Sequence, residues 1–136
     1  MTRKEQALML HKSGFNCAQS VACSFCNVMG ADPQQVFKVA EPLGFGMGNM
    51  GTCGAVSAMA LVTGMKMSDG NMDHPQTKRE CYKMMQKLTE EFTKKNSSIV
   101  CSEIKGVHTG QVLRSCDGCI EDAVELLDKY LLGIEE

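Results

Sequence analysis

Gly44-Phe45-Gly46-Met47-Gly48-Asn49-Met50-Gly51-Thr52-Cys53-Gly54-Ala55-Val56-Ser57-Ala58 joins a glycine-rich loop to the start of a helix. The glycines at 44, 46, 48 and 51 let the backbone reach conformations closed to other residues. Beyond Cys53 the residues turn small and apolar. Val56, Met59, Ala60 and Thr63 recur at helical spacing, and Gly64 reads as the C-terminal cap. Cys53 is therefore expected in the first turn of a helix, among backbone N–H groups without helical partners. That position favours a thiolate, because the helix N-terminus carries partial positive charge. Gly54, Ala55, Ser57 and Ala58 would let a second backbone or a cofactor come close, and tight helix packing would use them equally well.

Upstream, Thr2 to Lys12 reads as a helix, with Thr2 and Glu5 at the spacing of a capping box. Gly14 ends it. Asn16 is an N-cap residue, so Cys17 also falls at a first helical position. Ala18, Val21, Ala22, Phe25, Val28 and Met29 give that helix a buried face, and Gly30 closes it. Asp32-Pro33 opens the next helix, with Val36, Phe37 and Ala40 inward.

Downstream, Lys66 to Asp73 is polar and reads as a loop. His74-Pro75 opens the longest helix, which runs to Asn96 with Cys81, Met85, Leu88 and Phe92 on one face. Ile99 and Val100 are too short a run to make a sheet. After Cys101, a loop from Gly106 to Ser115 carries His108. Cys116-Asp117-Gly118-Cys119 then leads a final helix with Ile120, Ala123, Val124, Leu127 and Leu131 inward. No run alternates with period two for the length of a strand. The expected fold is all-α, a single domain over residues 1–136 of about six helices around a central glycine-rich loop.

Composition narrows the function. A net charge of −2 and a pI near 5.9 argue against a nucleic-acid partner. No stretch approaches the roughly 18–20 apolar residues that span a bilayer, so no membrane insertion is expected. The charged start Met1-Thr2-Arg3-Lys4-Glu5-Gln6 lacks the apolar core of a signal peptide, which points to the cytoplasm. Thiols are normally reduced there, so eight cysteines point to metal binding or thiol chemistry rather than structural disulfides. The contrary reading makes them small buried hydrophobes. Cys81 suits that reading, sharing the apolar face of its helix. Cys23-Ser24-Phe25-Cys26 lies inside a helix and follows no strand, so it reads as structural or interfacial.

Cys17, Cys53 and Cys116 all fall at or just before helix starts, where a thiol pKa drops from about 8.5 towards neutrality. Asn16-Cys17-Ala18-Gln19, the glycine loop with Cys53-Gly54-Ala55, Cys101-Ser102-Glu103, and Cys116 ahead of an apolar helix together resemble the C_GCAxxG_C_C family of putative redox-active proteins. The resemblance runs from about Phe15 to the C-terminus. It implies a helical domain with four signature cysteines, here Cys17, Cys53, Cys101 and Cys116, as the catalytic or metal-binding residues. Its central motif is Cys-Gly-Ala-x-x-Gly, and this chain carries Ala58 at the last position. A related domain in certain multihaem cytochromes is associated with an iron–sulfur cluster. The present chain has no Cys-x-x-Cys-His for haem attachment.

Four thiolates can hold an iron–sulfur cluster, hold zinc, or cycle through disulfides. Their dispersed spacing is unlike the paired knuckles of zinc sites. The loop offers N–H groups to cluster sulfides or an anionic substrate, with Gly48, Gly51, Cys53 and Gly54 as the cofactor-binding candidates. Cys119 reads as a resolving thiol, an extra ligand or a core residue. His108 is the histidine placed in sequence to approach the centre, while His11 and His74 are isolated. Glu41 is a candidate acid/base group whose default is exposure. Gly46-x-Gly48-x-x-Gly51 spells a dinucleotide fingerprint but follows a helix, outside the βαβ context it needs. The expectation is a redox protein working by electron transfer or thiol–disulfide exchange with an unidentified redox partner. The rivals are a zinc or soft-metal binding module and a helical adaptor. A homodimer would cover apolar surface left by exposed Met and Cys positions.

Overall fold

The computed structural model describes residues 1–134. Its α-helices are α1 (Arg3–Lys12), α2 (Cys17–Cys23), α3 (Cys26–Met29), α4 (Pro33–Ala40), α5 (Gly54–Met67), α6 (Lys78–Asn96), α7 (Cys101–Ile104) and α8 (Cys116–Leu126). A 3₁₀ turn over Glu41–Leu43 follows α4, and a wider turn over Leu127–Leu131 extends α8. Among the described residues no strand forms, and no helix is long and apolar enough to cross a membrane. The fold is all-α.

Short-range chemistry sets most helix starts. Thr2 caps α1 by accepting the Glu5 N–H. Asn16 and Gln19 form a reciprocal capping box at α2, each bond 2.9 Å. Asp32 caps α4 with Pro33 at the first position, and Ser115 accepts the Gly118 N–H at 3.0 Å to cap α8.

Helix α5 is the centre of the molecule. Ala55, Val56, Ala58, Met59, Val62 and Thr63 are buried along it, and it packs against α2, α6 and α8. Phe25, Leu88, Phe92, Ile120 and Leu127 complete the core from the surrounding helices. Each such side chain, fully removed from water, contributes about 1.5–3 kcal/mol of hydrophobic driving force. Ala58, in the last position of the Cys-Gly-Ala-x-x-Gly pattern, is fully buried in this packing.

Several boundaries differ from those expected. Cys53 is the N-cap of α5 with extended ψ (132°), so the helix begins at Gly54. Gly64 does not end it; the helix continues to Met67. A mid-helix glycine costs about 1 kcal/mol, which the buried flanks outweigh. The long helix begins at Lys78 rather than His74. Asn71 accepts the N–H groups of Asp73 and His74, holding that stretch in a side-chain-capped loop. The helix expected over residues 17–29 breaks at Ser24-Phe25. The Ser24 hydroxyl donates to the Val21 carbonyl at 2.7 Å, and Phe25 leaves helical geometry (φ −101°, ψ −5°) to bury its ring. These breaks, with the short α7, raise the number of α-helices above the six expected.

The glycine-rich loop forms a tight turn. Phe45, Gly46, Met47, Gly48 and Met50 all take positive φ, between 54° and 76°. For the three non-glycine residues this costs on the order of 1–2 kcal/mol each. The Gly51 N–H donates to the Gly46 carbonyl at 2.8 Å to close the turn. Thr52 and Val100 then form an isolated antiparallel bridge. On either side of it, the Cys53 N–H donates to Ile99 O at 2.7 Å and the Cys101 N–H donates to Gly51 O at 2.6 Å. Ile99-Val100 is thus extended for one bridge, which clamps the start of α7 to the start of α5.

Candidate functional site

That clamp, with the N-termini of α2 and α8, encloses a cavity of about 170 Å³. Five cysteines line it: Cys17, Cys53, Cys101, Cys116 and Cys119. Cys17 opens α2, Cys53 caps α5, Cys101 opens α7, and the last pair sits in the first turn of α8. The rest of the wall is His11, Asn16, Phe45, Gly54, Ile104, Lys105 and Arg114. The four signature cysteines, dispersed over the sequence, are therefore brought to one place.

Two glycines make the approach of these elements close enough. A β-carbon on Gly54 would lie within 3.0 Å of the Cys17 sulfur and 3.0 Å from the Leu43 carbonyl oxygen. A β-carbon on Gly46 would lie 2.8 Å from Cys101 Cβ, at a positive φ that already disfavours a side chain. Of the glycines considered for cofactor binding, Gly54 lines the cavity. Gly51 serves the frame, its carbonyl accepting from Cys101 and its N–H donating to Gly46. Gly48 sits at the turn's tip with open space where a β-carbon would go.

The thiols are not equivalent. The Cys53 pKa is lowered, to about 7. A hydrogen bond from the Cys119 thiol is the main cause. Burial opposes it, and the N–H groups of Ala55 and Val56 and the Lys105 ammonium assist. Cys119 is raised, first by donating that bond to Cys53, then by burial and by the negative charges of its surroundings, Asp122 among them. Cys17 is raised, mainly by burial and then by the charge of Cys53, although the Phe45 N–H partly offsets this. Burial also raises Cys101, against the pull of Lys105. The site therefore holds one activated sulfur with a thiol donor beside it.

Charged side chains frame the cavity. His11 Nδ1 lies 2.6 Å from Asp117 Oδ1, and the Arg114 guanidinium grips Asp122 through Nε at 3.1 Å and Nη2 at 3.2 Å. Lys105 lies over the Phe45 ring, 5.0 Å from its centroid. His11, Lys105 and Arg114 carried no signal in the sequence, because a distant element completes the setting of each. His108 and His74 are exposed and away from the cavity, as is Glu41. Cys23 and Cys26 flank the α2–α3 break, and burial raises both. Cys81 is half-buried on α6.

All eight cysteines are free thiols. Among the described residues, no three His, Cys, Asp or Glu side chains are arranged to hold one metal ion. The cysteines around the cavity are the donor type that an iron–sulfur cluster takes, with different cysteines on different irons and so further apart than ligands of a single ion.

Comparison with curated proteins and with solved structures finds no match. A family model described as "Putative redox-active protein (C_GCAxxG_C_C)" matches residues 15–130, which include every cysteine of the cavity. With most of its length matched, and the motif cysteines gathered on one cavity, the chain belongs to the C_GCAxxG_C_C family.

Proposed function

We propose that the cysteine-lined cavity is a redox centre working by thiol–disulfide exchange, with Cys53 as the nucleophile. The observation that carries this reading is the seat of Cys53 at the N-cap of α5, on a cavity that four further cysteines line. The Cys119 thiol, the N–H groups of Ala55 and Val56 at that helix start, and Lys105 favour the Cys53 thiolate near neutral pH. The thiolate is the reactive form in exchange, and an attacking thiol works best with a pKa near ambient pH. Cys53 would attack a disulfide, form a mixed disulfide and release the other half as a thiolate. Free thiols throughout the chain agree with a reducing compartment such as the cytoplasm.

A second reading is favoured by the convergence of Cys17, Cys53, Cys101 and Cys116 from separate helices. These four would hold an iron–sulfur cluster, which when bound supplies one-electron transfer. Lys105 would then offset the negative charge of the thiolates. A mononuclear zinc site has less support, since no three potential ligands meet at one point among the described residues. On either reading the redox partner would dock on the rim that carries the exposed Phe45.

Anaerobic purification followed by iron, sulfide and zinc analysis, with a thiol count before and after oxidised glutathione, tests these readings. Metal-free protein that reversibly loses a pair of thiols supports exchange. Iron with sulfide supports the cluster. Metal-free protein with an unchanged thiol count rules out both.

A further inference from the structure

Cys23-Ser24-Phe25-Cys26 takes no part in the cavity, and Cys23 closes α2 at the end opposite Cys17. Ser24 (φ −66°, ψ −15°) and Phe25 (φ −101°, ψ −5°) have the dihedrals of the two central residues of a type I turn. Such a turn holds its first and last α-carbons within about 7 Å, so the backbone itself brings the two cysteines together. The Cys26 sulfur folds back on this turn, 3.8 Å from the carbonyl oxygen of Ala22, the residue before Cys23. Cys26 is buried, while Cys23 is half-buried. Cys23 also lines an open groove between α1 and α4, with Leu10, Phe15, Pro33, Gln34 and Phe37. The Phe15 and Phe37 rings meet edge to face there, their centroids 5.0 Å apart. Burial holds both thiols above the ordinary thiol range, Cys23 pushed up to about 11, so neither supplies much thiolate for exchange at neutral pH.

We infer that Cys23 and Cys26 form a second thiol site, one that chelates a trivalent arsenical R–As(OH)2 carrying an apolar substituent R. Each thiol displaces one hydroxide from arsenic. Two S–H and two As–OH bonds break, two As–S bonds form, and two water molecules leave. Arsenic stays trivalent and sulfur is not oxidised, so the step needs no oxidant or reductant. The thiol protons depart in the water, so protonated thiols that are slow in disulfide exchange are competent here. Cys23, the more accessible of the two, reacts first, and the turn then presents Cys26 to the same arsenic atom. Because the folded turn already holds the pair together, closing the chelate orders little more of the chain. The apolar groove beside Cys23 receives R.

Native mass spectrometry tests this site. Reduced protein is incubated with excess phenylarsine oxide, which hydrates to the phenyl form of R–As(OH)2. Glutathione is then added to strip arsenic held by a single thiol, and the retained arsenicals are counted. Wild type is expected to retain one more than Cys23→Ser or Cys26→Ala. The cavity thiols contribute equally to all three proteins, so the difference does not depend on their chemistry. Far-UV circular dichroism checks that the variants keep their helices. Cys23→Ser, at a half-buried position, decides the matter should Cys26→Ala fold poorly. Equal counts in wild type and folded Cys23→Ser would overturn the proposal. Methylarsonous acid is expected to leave this site at a glutathione concentration about tenfold lower than the phenyl form, because its substituent buries less apolar surface. Equal retention of the two would overturn the part played by the groove.

Discussion

The Cys17 sulfur rests against the α-carbon side of Gly54, in the space where any other residue would carry its β-carbon. This contact joins the N-terminus of α2 to that of α5, and it explains why glycine follows Cys53. Gly54→Ala should therefore destabilise the protein by about 1–3 kcal/mol through overpacking. It should also disturb the alkylation rates of Cys17 and Cys53. Gly48→Ala is the control: its φ is left-handed (+76°), unlike that of Gly54, and its surroundings are open. It should cost about 1 kcal/mol and leave the cavity thiols unchanged. Urea denaturation with parallel iodoacetamide labelling reads both effects.

Gly64 lies inside α5 with open space around it and no positive φ. Gly64→Ala should stabilise the protein by about 0.4–1 kcal/mol, through lower unfolded-state entropy and better helix propensity. Chemical denaturation should show a higher midpoint at unchanged slope.

The Asn16 side chain accepts the Gln19 N–H and donates to the Glu41 carbonyl, each at 2.9 Å. Asn16→Ala should cost about 1–2 kcal/mol. Because the lost cap seats Cys17, thermal unfolding should move to lower temperature while Cys17 labels faster in the folded state.

The Cys53 pKa near 7 sets a pH profile. Its alkylation rate should rise as pH climbs through 7 and level off once the thiolate dominates. Cys17 and Cys101, raised by burial, should respond only at more alkaline pH. Cys119→Ala removes the main stabilising bond, so the Cys53 midpoint should move to higher pH. Residue-resolved labelling across pH 5–10 checks both statements, and an unmoved midpoint would deny the hydrogen bond its role.

Local signals in the sequence were enough for the starts of α1, α2 and α4, because Thr2, Asn16 and Asp32 lie within a turn of what they specify. Pro75 and Gly64 misled for a shared reason. Each reports backbone preference alone, whereas Asn71 side-chain bonds and the burial of α5 decided the outcome. The cavity drew on long-range packing. His11 reaches Asp117 across 106 positions, so no spacing rule could select it over His108. Cys119 was visible as a cysteine one helical turn after Cys116, but it shares a cavity with Cys53 only once α8 packs on α5.

The most direct test of the central claim is equilibration of wild type and Cys53→Ala against glutathione redox buffers, counting free thiols at each ratio. Wild type should show a reversible two-electron transition confined to the cavity cysteines, and Cys53→Ala should lack it. A transition unchanged in Cys53→Ala, or one that maps to Cys23 and Cys26, would contradict the account.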